Sequence, residues 1–234
     1  MDLGLFLNPI VQAGNSVNLI YLILLGILSL AIGYFLGGIN CGIIVSRLMY
    51  HDDIRNYGSK NAGMTNMIRT YGKKAGAITL IGDILKTVVA ILISRLLFGE
   101  MGAYLAGLGS VYGHIFPCYF GFKGGKGVSA VAAVVLCTNP LCFVILFAIF
   151  VILVAAYKFI SLGSVMCMLL YPLLLNRLGE IDLVPIVCAF IIAITVIIKH
   201  KDNIKRLLNG TENKFSLKSK KKTRTEESEK SENL

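Results

Sequence analysis

Seven nearly unbroken apolar runs dominate this chain, at positions 17–36, 75–97, 103–117, 128–138, 141–157, 159–175 and 183–198. A bilayer-spanning helix needs about 20 apolar residues and tolerates about 17, whereas a spanning strand alternates apolar with polar. These runs are continuous, so the expected fold class is all-α, a polytopic membrane protein of about seven transmembrane helices. Composition agrees, because 15% of the 234 residues are charged, against about 25% in soluble domains.

The first run follows an uncharged stretch after Asp2. A cleaved signal peptide needs a basic leader and a small-residue cleavage site, so a retained first helix is expected. Thr138-Asn139-Pro140 reads as a tight turn between a short helix and a full one. Fusing that pair would leave six helices, and charge placement arbitrates. Of the 23 Lys and Arg, all but Lys86, Arg95 and Arg177 fall in four places: 47–74, 123–126, Lys158, and Lys199 onward. Seven helices put all four on one face, which the positive-inside rule makes cytoplasmic, with the N-terminus out and the C-terminus in. The expected organisation is an extracytoplasmic N-terminus 1–16, one membrane-embedded domain 17–213, and a basic, disordered cytoplasmic tail 214–234. Much of the +10 net charge thus abuts headgroups, which attract each juxtamembrane lysine by ~1 kcal/mol. Membrane lipid is the expected anionic surface, and nucleic acid is not. The six cysteines are scattered through apolar runs without metal-ligand spacing, so no disulfide, metal or cofactor is expected.

Three polar blocks fall on the basic face. In the first, 53–76, Gly58 to Gly63 is loop chemistry, and Thr65 or Asn66 is positioned to cap a helix running to about Lys74. Asn66 and Arg69 share a face of that helix. Ser59, Asn61 and Asn66 at its start favour an oxyanion, and Arg69 can fork two of its oxygens. An ordinary hydrated loop with a snorkelling arginine fits this block equally well. The second, 113–128, sets Lys123 and Lys126 around Gly124 and Gly125. Glycine lets backbone N–H groups approach a phosphate closely and lysine adds a point charge. It is not a Walker A sequence, because Gly127 stands where Ser or Thr would hold magnesium. Gly109, Gly113, Gly121 and Gly125 also have the spacing of close helix packing. In the third, 199–213, His200, Asn203 and Leu207 share a helical face and Gly210 is a stop. A basic helix touching headgroups explains its lysines but not His200 with Asn203. Asp83 and Lys86, three apart in the second apolar run, read as a structural ion pair.

At these blocks the chain resembles the bacterial acyl-phosphate:glycerol-3-phosphate acyltransferases, the PlsY family. The strings GSKNAGMTNMIR, GHIFPCYFGFKGGKGVSA and KHKDNIKRLLNGTE match its three motifs in order and spacing, over about residues 19 to 214. The resemblance implies a seven-helix enzyme that moves a fatty acyl group from acyl phosphate to the 1-hydroxyl of sn-glycerol 3-phosphate. The products would be 1-acylglycerol 3-phosphate and inorganic phosphate, at the first acylation of phospholipid synthesis in the bacterial cytoplasmic membrane. By position it implies Ser59, Arg69, His200 and Asn203 as catalytic. Asn61, Thr65, Asn66, Lys123, Gly124, Gly125 and Lys126 become substrate-binding, and Glu212 structural. A link to the enzyme that makes acyl phosphate is compatible with this reading. Lys60 stands where the family pattern has Gly, a residue suited to positive φ. Met64, Gly38, Asn40 and Thr87 also depart from the pattern.

Two phosphate-bearing substrates must meet in such a site, and unit charges ~5 Å apart at an effective dielectric of ~20 repel by ~3 kcal/mol. Arg69, Lys123, Lys126 and the glycine-loop N–H groups would offset that repulsion. The chain lacks a His-x4-Asp pair, and acyl phosphate is already activated, so the donor's own phosphate oxygen is the expected proton acceptor. An organic-phosphate transporter would instead place cations near mid-bilayer in two related halves. A membrane scaffold would not require Ser59, Asn66, His200 or Asn203.

Overall fold

Residues 19–178 and 182–216 are described by the computed structural model. The expected N-terminal segment 1–16 and nearly all of the basic tail 214–234 lie outside the described residues. The described residues form helices and no strand: α1 Leu19–Gly37, α2 Cys41–Tyr50, α3 Met64–Tyr71, α4 Lys73–Ile115, α5 Val128–Thr138, α6 Pro140–Tyr157, α7 Ile160–Leu178, α8 Leu183–Lys199 and α9 Lys201–Leu208. Among them, Leu19–Tyr50, Lys73–Phe120, Pro140–Tyr157 and Ile160–Leu178 are long and apolar enough to cross a membrane. The pair α8 and α9, bent by 57°, adds a fifth if taken as one span. Many large apolar side chains, among them Ile23, Leu92, Val144, Leu173 and Ile194, point outward, as a lipid-facing surface requires.

Helix α4 is a hairpin rather than a rod. Gly99 adopts φ 67° and ψ −155°, a conformation that essentially only glycine tolerates. Beyond it the chain doubles back. Lys86 Nζ lies 3.2 Å from His114 Nδ1, and Thr87 Oγ1 lies 2.8 Å from Ser110 Oγ. A Cβ at Gly102 would sit 2.5 Å from Ser94 O. Partners that climb one arm while descending the other define antiparallel arms, and these arms carry the apolar runs 75–97 and 103–117. The break between α5 and α6 comes at Asn139, whose side chain accepts from Cys142 N at 2.9 Å with Pro140 opening the next helix. Pro is suited to that first helical position.

Glycines decide which helices touch. Cβ atoms at Gly33 and Gly37 of α1 would lie 2.0 and 2.3 Å from the carbonyls of Ala106 and Ser110. Cβ atoms at Gly109 and Gly113 would meet Leu30 O and Tyr34 O at 2.2 and 2.1 Å. This small-residue seam lets α1 lie directly on the second arm of α4. At its end, Lys86 Nζ pairs with Asp83 Oδ1 at 2.9 Å and donates to Ile39 O at 2.8 Å. Asp83 Oδ1 in turn accepts from Cys41 N at 3.3 Å. The expected Asp83–Lys86 pair therefore anchors the chain break between α1 and α2. The main core lies between the second arm of α4, α5, α7 and α8, around Val111, Val131, Val134, Tyr171 and Ile192.

Candidate active site

The three polar blocks converge at one end of the bundle, each through a different local device. In the first, Asn66 organises the loop. Its Oδ1 accepts from Ser59 N at 3.0 Å, and its Nδ2 donates to Tyr57 O and Asn61 O at 2.9 and 3.0 Å. Neither Thr65 nor Asn66 caps the helix, as the sequence suggested: α3 starts at Met64 behind Gly63, which makes no side-chain cap bond. The loop also holds Lys60 at φ 56°, in the left-handed region that costs a non-glycine residue roughly 1–2 kcal/mol. Arg55 Nη1 joins this block to the second, donating to Phe120 O at 2.7 Å and Lys123 O at 3.0 Å.

In the second block the glycines serve packing. Gly124 N donates to Ile115 O at 3.2 Å and Gly125 N to His114 O at 3.0 Å. These N–H groups satisfy the carbonyls that end α4, so both are turned to the backbone rather than toward the cavities. Lys123 is exposed and, like Gly124 and Gly125, lies outside the cavity walls. Lys126 instead turns inward, and Gly127 at φ 89° starts α5 directly behind it.

In the third block His200 occupies the bend between α8 and α9. Its Nδ1 lies 2.8 Å from Val196 O; a carbonyl only accepts, so that nitrogen carries the proton and Nε2 is the acceptor of the neutral ring. Burial, with Lys126 nearby, pushes His200 down to about 4. Asn203 donates to Glu212 Oε1 at 2.7 Å and accepts from Lys126 Nζ. Glu212 also accepts from Ser161 at 2.9 Å and Arg206 at 2.7 Å. Burial alone would raise the Glu212 carboxyl, but these hydrogen bonds together hold it below its ordinary value. Burial, and then the charge of Arg206, lowers Lys126.

Two adjoining cavities of about 370 and 340 Å³ share Ser59, Arg69, Lys126, Asn203, Arg206 and Asn213 in their walls. Asn61, Thr65, Asn66 and His200 line the first. Among the described residues, Arg69 has no ion pair or hydrogen bond, so its guanidinium faces the cavities uncommitted. The starts of α3 (Gly63, Met64, Thr65) and α5 (Gly127, Val128, Ser129) also line the first cavity. Helix N-termini present free N–H groups and favour negative charge. The mouth thus brings Arg69, Lys126 and two helix starts together, with Glu212 and Asp202 also in its walls.

The larger cavity then runs away from that mouth between α4, α5, α6 and α7, past Leu80, Ile84, Val131, Leu136, Phe143 and Met168. The sequence reading missed this apolar lobe, as well as Ser161 and Arg206. Each residue lining the lobe, like Ser161, sits in a run that reads as an ordinary membrane helix, and Arg206 reads as one of several cations facing headgroups, so no local signal distinguishes them.

Residues 27–210 match the family described as Glycerol-3-phosphate acyltransferase. A relative named glycerol-3-phosphate acyltransferase from Finegoldia magna is 41% identical over 202 residues, covering 85% of this chain and 98% of that one. One from Clostridioides difficile is 41% identical over 197 residues, covering 80% and 94%. Among solved structures, the glycerol 3-phosphate form of PlsY (YgiH), an integral membrane glycerol 3-phosphate acyltransferase, aligns with TM-score 0.77 at 33% identity, covering 82% of this chain and 96% of that one. The lysophosphatidic acid form of PlsY gives TM-score 0.74 at 32% identity, with the same coverage of both chains.

Proposed function

The chain belongs to the glycerol-3-phosphate acyltransferase family, and from that premise we propose that acyl phosphate is its donor and that the cavities described above are its active site. The protein is a membrane enzyme that acylates glycerol 3-phosphate. The observation that carries the donor assignment is the union of an apolar lobe with a cationic mouth. A fatty acyl chain fits the first, and two phosphoryl groups fit the second. The lack of a His-x4-Asp pair points the same way, since an activated mixed anhydride needs no strong protein base.

In this reading Arg69 and Lys126 hold phosphoryl oxygens, with the starts of α3 and α5 adding N–H groups. Ser59, His200 and Asn203 hold the glycerol in pose. The 1-hydroxyl oxygen attacks the acyl carbon, the bond from that carbon to the phosphate oxygen breaks, and the departing phosphate takes the hydroxyl proton. The products are 1-acylglycerol 3-phosphate and inorganic phosphate. Asn66 supports Ser59 through the loop backbone, and Glu212 supports Asn203. Lys123 acts from the rim as part of the positive field around the mouth.

Seven membrane segments follow if the two arms of α4 each count as a span and α5 as a short one. The reversal at Gly99 supports that count. Basic loops gathered at the mouth support a cytoplasmic active site in the bacterial inner membrane, with the N-terminus outside, one membrane-embedded domain over 17–213 and a cytoplasmic basic tail. The test is purified protein with radiolabelled glycerol 3-phosphate and acyl phosphate, run against acyl-CoA and acyl-carrier-protein donors. Labelled lysophosphatidic acid from acyl phosphate alone is the expected result; equal transfer from acyl-CoA would overturn the donor assignment.

A further inference from the structure

His114 is 2% exposed and sits in the last turn of α4, between a buried ion pair and the glycine loop. On one side its Nδ1 is 3.2 Å from Lys86 Nζ. An ammonium only donates, so Nδ1 accepts and the ring proton lies on Nε2. Asp83 Oδ1, at 3.6 Å from Nδ1, is too far to compete for that atom. On the other side, His114 O receives Gly125 N–H at 3.0 Å. A Cβ at Gly125 would meet the imidazole first, at 2.0 Å from Nε2, and one at Gly124 would lie 2.1 Å from His114 O. His114 is therefore the floor of this turn, its ring beneath Gly125 and its carbonyl beneath Gly124, and Lys126 is the next residue.

We propose that His114, fixed by Lys86 and Asp83, is a positioning residue that sets the height of the Gly124–Gly125 turn and so aims Lys126 at the phosphate of glycerol 3-phosphate. The buried charges then have a task beyond joining helices: they hold the imidazole at one tilt, and the tilt fixes where the lysine emerges. This rests on the assignment of the mouth as the glycerol 3-phosphate site.

The test is steady-state kinetics on the full chain in detergent. In His114→Ala the KM for glycerol 3-phosphate should rise about tenfold or more, while kcat and the KM for acyl phosphate stay within about threefold. His114→Gln, whose amide oxygen can still accept from Lys86, should recover part of the loss. Lys86→Met should shift the same KM and supplies the reading if the His114 variants do not fold. Arg95→Met, at the opposite end of the bundle, should leave it unchanged. Gly125→Ala should be costly in the native background and markedly less so combined with His114→Ala, because the ring supplies the three nearest atoms that the added methyl would meet.

Three results would overturn the proposal. One is an unshifted KM in folded His114→Ala. Another is an equal Gly125→Ala penalty in both backgrounds. The third is a matching KM rise in Arg95→Met, which would mean general loosening. A native protein that transfers no acyl group would instead defeat the assignment of the site.

Discussion

Asn203 Nδ2 donates to Glu212 Oε1 at 2.7 Å, and the same amide accepts from Lys126 through its oxygen. The carboxylate after α9 thereby orients a lysine that arrives from the far loop between α4 and α5. Ser161 of α7 and Arg206 of α9 complete the cluster, so one glutamate ties together three elements that wall the cavities.

Removing that carboxylate should cost stability. Glu212→Ala strips three donors of their acceptor, a loss on the order of 3 kcal/mol for a buried charge-assisted cluster. Glu212→Gln keeps the shape and should lose less. The folded-state pKa of Glu212 is held below its ordinary 4.5, so its stabilisation is present above that pH and is lost as pH falls through the folded value. Thermal unfolding in detergent, followed from neutral pH into acid, should show a shallower acid-side decline in Glu212→Gln.

Arg69 offers a planar fork that lysine cannot reproduce. Arg69→Lys keeps the charge, yet kcat/KM for glycerol 3-phosphate acylation should fall by roughly 100-fold, the scale of losing one aimed donor to a reacting anion. A variant within a few-fold of native activity would show that Arg69 acts by field alone.

His200, pushed down to about 4, is neutral at physiological pH. His200→Gln should retain near-normal turnover with a raised KM, and the native pH–rate profile should show no imidazole ionisation between roughly pH 6 and 8. A collapse in turnover with a displaced profile would make His200 a proton carrier and contradict donor-assisted transfer.

The apolar lobe should set acyl length. Ala132 of α5 lines it, and Ala132→Phe would fill part of the space. With acyl phosphates of graded length, kcat/KM for chains of about 16 carbons should drop tenfold or more while chains of about 8 carbons are spared.

Much of this architecture was legible along the chain. The run at 128–138 became α5 Val128–Thr138 with unchanged ends, because Asn139-Pro140 is a local stop. Positive φ at Lys60 was legible too, from a lysine standing where glycine is usual. Other parts depended on partners distant in sequence. The glycines of the loop look free to bind anions, yet His114 O and Ile115 O claim two of their N–H groups. The gap between the runs 75–97 and 103–117 marked where the chain turns, and only the structure showed that Gly99 turns it through a backbone conformation essentially reserved for glycine.

Taken alone, the order of residues determined that the chain enters a bilayer, where its polar stretches emerge, and which side chains carry charge. Apolar length and local turn chemistry are short-range properties. Only the tertiary structure decided which polar groups remain available to a ligand and that an apolar lobe opens behind them. Availability depends on whether another element has already satisfied a donor or filled a space, and those elements here lie up to 83 positions away, as in the bond between Tyr112 Oη and Thr195 Oγ1.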